Sequence, residues 1–358
     1  MREVAGTPLL RVTALLALLT LLSACERGGQ PPDERGRMDD GGPGAVETLH
    51  AGLRIGLVLA PSEGESFEME AIRAASDELR ELADPEVASV RILGPPNERF
   101  RRDELILLAE EGLDLVCTVG PDGRDDLTEL AAIFPTTQFC LLDAELPSEA
   151  PANAFAITWR TVEGGFLAGA AAALATHEAG VGIVVGATER MLEPLRVGFE
   201  AGARQARPGV PVVVITATNA RGEEDQRVAR DAARGQYGAG AAGARALLPF
   251  GGRLTLLGVA QGAATSEGAI VGWEVDVTRL LTDQQDGHVL VSVVKRFDVA
   301  LLAAVRHAAA GGPPQVVLRV ADGAFGILPG KDPRYPLLAP RLDQLAAELT
   351  AGRLALPG

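Results

Sequence analysis

Residues Gly268 to Asp298 read GAIVGWEVDVTRLLTDQQDGHVLVSVVKRFD. This is one apolar strand, IVGWEVD, ending in two carboxylates, then a polar loop, then a second strand, HVLVSVVK, ending in a lysine. In an open α/β sheet, ligands sit in the crevice beyond the carboxyl ends of the strands. Glu274, Asp276 and Lys295 all fall at such ends. The rest of the chain reads as two lobes that close over them.

Working outward, the body alternates strands and helices. LRIGLVLA is a first strand, PSEGESF a polar loop, and EMEAIRAASDELRELA a helix. VASVRILG, LDLVCTVG and QFCLLDA follow as strands, separated by the helical stretches RRDELILLAEEG and DLTELAAIFP. NAFAITW is a fifth strand, expected to cross to the other lobe. The second lobe opens with the helix TVEGGFLAGAAAALATHEA, whose small residues are expected to let it pack closely on the sheet. VGIVVGA, VPVVVITAT and a weaker segment near RLTLLGVA are expected as its strands, with helices around Met191–Ala206 and Asp225–Arg234. The chain is then expected to return through IVGWEVD and HVLVSVVK to the first lobe, cross back after about Pro313, and end in the helix RLDQLAAELTAG. Strands alternating with helices mean parallel sheets covered on both faces, and near-continuous apolar strands agree with that burial.

Composition narrows the function. A chain of 358 residues is long for one core. A net charge of −15 argues against a nucleic-acid surface, which needs clustered Lys and Arg. The N-terminus carries Arg2 and Arg11, then the apolar run Val12 to Leu22, short for a membrane span and suited to a signal peptide. It ends in Leu22-Ser23-Ala24-Cys25, similar to the bacterial lipobox, so Cys25 is the expected lipidation site. Each buried methylene of an acyl chain contributes about 0.8 kcal/mol to such an anchor. Residues 26–48 are Gly, Pro and charge without an apolar face, and read as a tether. Cys117 and Cys140 read as buried free thiols, with a disulfide permitted by the compartment. The four histidines are scattered, and no HExxH or CxxC spacing suggests a metal. No cofactor is expected. GAGAAGA fits G-x-G-x-x-G but follows a helix rather than a strand, and no nucleophile elbow is present, so the reading is not of an enzyme.

Several motifs occur together and in order: IGLV, GESFEMEA, VCTVG, FPTTQFCLLDA, VEGGFLAGAAAA, VGIVVGA, VGFEAGA, VGWEVD, SVVKRFDVAL and LTAGRLALP. With them the chain resembles the BMP family, the PnrA-like purine-nucleoside-binding lipoproteins of ABC importers. The resemblance implies an α/β type I periplasmic-binding-protein fold, two doubly wound lobes joined by a hinge, with a nucleoside in the cleft. The expected organisation is a signal peptide over residues 1–25, a tether over 26–48, a first lobe of 49–154 plus 273–314, and a second of 155–272 plus 315–358.

The same resemblance implies the ligand-binding residues. The family's DDKSFN loop becomes GESF followed by Glu68, keeping Ser66 and Phe67, the latter to stack on a base. Asp143 matches the Asp closing the FxxID strand, and Lys295 the Lys of TSxxKR. The family's GVDxDQ appears as Gly272 to Val277, so Glu274 stands for its first Asp. Gly251 and Gly252 match its Gly-rich loop. Glu223 replaces an aromatic residue two before the Asp matching Asp225, removing a second stacking face. Trp273 is either core or a substitute for that face. Lys295 and Glu274 could equally form a structural ion pair, and Asp143 could cap the next segment. The implied partners are a nucleoside-like ligand, an ABC permease and a membrane reached through the lipid, on its extracytoplasmic side. A ligand-sensing lipoprotein and a degenerate cleft are the rival functions.

Overall fold

The computed structural model describes residues 52–59, 72, 75, 87–95, 97–186 and 192–356. The Cys25 lipobox, the tether, and the Ser66 and Phe67 loop lie outside the described residues. Residues 49–358 form one compact unit.

Two six-stranded sheets build that unit. The first runs in the order β11-β5-β4-β3-β1-β2. It consists of β1 (Leu53–Val58), β2 (Val87–Leu93), β3 (Leu115–Val119), β4 (Gln138–Leu142), β5 (Ala154–Trp159) and β11 (Gln315–Leu318), all parallel. The second runs β12-β10-β9-β8-β6-β7. It consists of β6 (Gly180–Val185), β7 (Val212–Thr216), β8 (Ala244–Phe250), β9 (Ala269–Glu274), β10 (Val289–Lys295) and β12 (Phe325–Pro329), with only β12 antiparallel. The central strands are buried along almost their whole length, as sheets covered on both faces require.

Sheet membership corrects the sequence expectation in three places. β5 does not cross over but pairs with β4 and β11 in the first sheet. β9 and β10 do not return to the first sheet, although residues 273–314 were expected there; they continue the second one beside β8. Residues 315–318 were expected on the second side, yet β11 joins the first sheet. The physical reason is that a buried apolar strand fits either sheet equally well, so its pattern carries no address. Helix Phe297–Ala310 does pack on the first sheet, His307 stacking on Phe155 of β5 at 3.8 Å between ring centroids. A further correction concerns RLTLLGVA, expected as a strand, which is helix Arg253–Ala263. The strand is the preceding ARALLPF, hidden by the Gly-rich run before it.

The chain thus passes between the sheets three times: after β5, after β10 and after β11. The three crossings are laced together. Arg160 N donates to Leu318 O (2.8 Å), Arg296 N to Ala324 O (2.9 Å), and the Trp159 indole N–H to Ala324 O (3.0 Å).

After the first crossing, helix Thr161–Leu174 is buried between the second sheet and helix Leu192–Ala206. Its glycines let the two helix backbones touch. A Cβ added at Gly169 would stand 1.9 Å from the Phe199 carbonyl oxygen. The C-terminal helix Tyr335–Thr350 buries Leu338, Leu342, Leu345 and Leu349 in the same core. Cys117 and Cys140 face each other across β3 and β4 as free, buried thiols. Burial, followed by its contact with Cys117, pushes the Cys140 thiol well up.

Candidate functional site

The two sheets match position for position in strand order, and β4 corresponds to β9 as the third strand of each. Both end in a carboxylate in the left-handed region: Asp143 with φ 61° and Glu274 with φ 69°. Asp tolerates that conformation better than Glu, and such positions in non-glycine residues cost on the order of 1–3 kcal/mol each. Neither side chain continues its strand's alternation. Both turn toward Lys295, the last residue of β10.

Lys295 Nζ donates to Asp143 Oδ2 and to Glu274 Oε1, each at 2.7 Å. The Lys295 side chain is only 1% exposed, while those of Asp143 and Glu274 are 14% and 28% exposed. The Trp159 ring lies with its centroid 5.6 Å from Nζ, within cation–π range. One lysine therefore joins the carboxyl ends of two strands from different sheets, beside the three crossings. Burial raises the Asp143 carboxyl above its ordinary value; Lys295 pulls it down and Glu274 pushes it up further. Its second oxygen, Oδ1, is buried and has no hydrogen-bond partner among the described residues. A ligand hydroxyl is the kind of group that satisfies such an atom.

Gly251 and Gly252 follow β8 at the same edge of the second sheet, with φ 112° and 129°. They lead directly into helix Arg253–Ala263, for which Gly252 supplies no side-chain cap. The cap comes instead from Glu224, whose Oε1 accepts from the Thr255 N–H. Asp143, Glu274, Lys295, Gly251 and Gly252 thus lie at carboxyl strand ends, the first three in direct contact. Trp273 is not among them. It packs beneath helix Thr161–Leu174, against Gly164 and Phe325, because successive residues of a strand face opposite sides. Asp276 caps the short turn Val277–Leu280 through Thr278 and pairs with Arg279. Glu223 is exposed and accepts from Asn219, and Asp225 caps helix Gln226–Gly238.

Sequence reasoning passed over Trp159 and Glu224. Trp159 ends β5 and so satisfied the strand-end rule that picked out Lys295. Glu224 sits in a loop with no periodic pattern and had no comparable signal. Among the described residues no cluster of three or more His, Cys, Asp or Glu side chains could hold a metal, and no helix is long and apolar enough to cross a membrane. A cavity of about 530 Å³ lies at the opposite, amino-terminal edge of the second sheet, lined by His177, Arg245, Glu267, His288 and Asp332. It includes none of the residues at the crossings, and we place the site at the crossings, where an unpaired buried oxygen asks for a partner.

Two six-stranded sheets matched in strand order and linked by three crossings define the type I periplasmic-binding-protein fold. The chain belongs to the Bmp family, described as the PnrA-like ABC transporter substrate-binding proteins, whose model matches residues 72–314. It is 27% identical over 106 residues to basic membrane protein A1 of Borrelia garinii; that match spans 29% of this chain and 32% of the relative, about a third of its length. Among solved structures it is similar to an ABC transporter solute-binding protein from Conexibacter woesei, with TM-score 0.66 and 21% identity, covering 85% of this chain and 98% of that one. A carbohydrate transporter solute-binding protein from Agrobacterium radiobacter, solved with D-arabinose, matches with TM-score 0.54 and 17% identity over 80% of this chain and 99% of that one.

Proposed function

We propose that this chain is the solute-binding component of an ABC importer, lipid-anchored through Cys25 on the extracytoplasmic side of a bacterial membrane. It closes around a nucleoside-like ligand between its two sheets and presents the closed form to a permease. The observation that carries the reading is Lys295, whose ammonium ties Asp143 of one sheet to Glu274 of the other beside the chain crossings. Ligand hydroxyls are offered carboxylate acceptors there, and hydrogen bonds to charged groups contribute about 1.5–3 kcal/mol each when shielded. Gly251 and Gly252 let backbone approach the ligand, and Phe67 with Ser66 supplies the base contact. Hinge motion at the crossings is the closing device. The fold neighbour that holds D-arabinose agrees with a ligand carrying vicinal hydroxyls.

The test is a thermal-shift screen of residues 49–358 against adenosine, guanosine, inosine, ribose and arabinose. A ligand at a hundred times its dissociation constant stabilises by about 2.7 kcal/mol. The expected result is a shift with at least one nucleoside that disappears in Lys295→Met and weakens in Glu274→Gln. Lys295→Met itself leaves two carboxylates face to face, so a loss of about 3–5 kcal/mol in stability is expected in urea. A well-folded wild type with a flat screen sinks the ligand reading.

A further inference from the structure

We propose that Glu224 is a specificity-determining residue that keeps anionic ligands out of the cleft, its carboxylate filling the position a phosphate would otherwise take. The inference deepens the ligand-site reading above and rests on it for the claim that these strand ends face a ligand.

The turn from β8 through Gly251 and Gly252 into helix Arg253–Ala263 has the form of an anion site. Two glycines with positive φ bring backbone amides to a helix N-terminus, where the helix dipole places partial positive charge. In this chain the place is taken from within. Glu224 stands in the hairpin after β7, its backbone fixed by the Thr218 to Glu224 bridge. Its Oε1 accepts from Thr255 N, and its Oε2 lies over Gly252, where an added Cβ would stand 2.9 Å away. Gly186, at the end of β6, completes the fit: a Cβ there would come within 3.0 Å of Glu224 Cγ.

A second observation points to the same spot. Thr255 is fully buried in the first turn of the helix, and its Oγ1 has no hydrogen-bond partner among the described residues. That hydroxyl lies beside the Glu224 side chain, both meeting the position of a Gly186 Cβ. It is a donor left over at a place otherwise prepared for an oxyanion. The charges along the edge agree. Asp143, Glu274 and Glu224 are carboxylates, and the Lys295 ammonium is already bound to the first two. A neutral polyhydroxyl ligand can donate to these groups, while a phosphorylated one meets a carboxylate where it needs amides.

The experiment is isothermal titration of the full-length chain, wild type, Glu224→Gln and Glu224→Ala, with inorganic phosphate, ribose and ribose 5-phosphate. Wild type should ignore phosphate. Glu224→Ala should bind it on the order of tenfold more tightly or better, at the positive end of the helix. Glu224→Gln keeps an acceptor for Thr255 N, so it holds the fold and should gain less; it carries the test if Glu224→Ala unfolds. Folded variants with no gain for phosphate or ribose 5-phosphate, or a wild type that binds phosphate as tightly as they do, would make Glu224 a helix cap and overturn the proposal. The phosphate arm needs no nucleoside. A phosphate gain with no neutral ligand found would leave the Glu224 role standing and remove the nucleoside reading, and the converse would do the reverse.

Discussion

Asp143 is held in two ways that oppose each other: burial disfavours its charge, while Lys295 favours it. Burial prevails, so the folded state binds the Asp143 proton more tightly than the unfolded chain does. The stability this contributes is fully present below the unfolded value of about 4 and is lost as pH rises through the raised folded value, levelling off above it. Urea midpoints measured from about pH 3 to about pH 7 should show that decline, and Asp143→Asn should flatten it. An identical slope in the variant would assign the decline to other carboxylates. The same residue shows what sequence can and cannot reveal. Glu274 and Lys295 were legible as strand-end residues, since the rule needs only the end of an apolar run, and Asp143 through the family resemblance. That two of them leave the strand with positive φ and meet the third was not legible, because a Glu in that conformation has no local sequence signature.

At the scale of elements, helices Thr161–Leu174 and Leu192–Ala206 meet backbone to backbone. Gly169 faces the Phe199 carbonyl, and Gly202 faces the Phe166 carbonyl, each with a would-be Cβ at 1.9 Å. Neither helix can accept a methyl there without moving apart, so Gly169→Ala should destabilise by about 1–3 kcal/mol or more. Gly235, exposed in helix Gln226–Gly238, has nothing within 4 Å of its added Cβ. Gly235→Ala should therefore stabilise by about 0.5–1 kcal/mol through helix propensity and a less disordered unfolded chain. Chemical denaturation of the pair reads both effects, and equal signs would refute the contact argument. Sequence showed that the first helix is rich in small residues. They were expected to pack on the sheet, and Gly169 meets another helix instead, since both partners reward the same composition.

Across the whole molecule, the three crossings make each sheet depend on chain from both halves of the sequence. β11 and helix Phe297–Ala310 complete the first sheet after the second is almost finished. Residues 49–358 nevertheless form one unit, so they should unfold in a single cooperative urea transition, read by circular dichroism. Two separated transitions would mean that the two sheets unfold independently. What sequence alone determined was the α/β class, the alternation of elements, most helices and the strand ends at which Glu274 and Lys295 fall. Those features depend on local periodicity and on strand direction, which a single segment carries. Which sheet receives β5, β9, β10 and β11, and the encounter of Lys295 with Asp143 and Glu274, only the tertiary structure decided. A strand buried on both faces presents the same apolar surface to either sheet, and an ion pair spanning 152 residues exists only once both sheets are built.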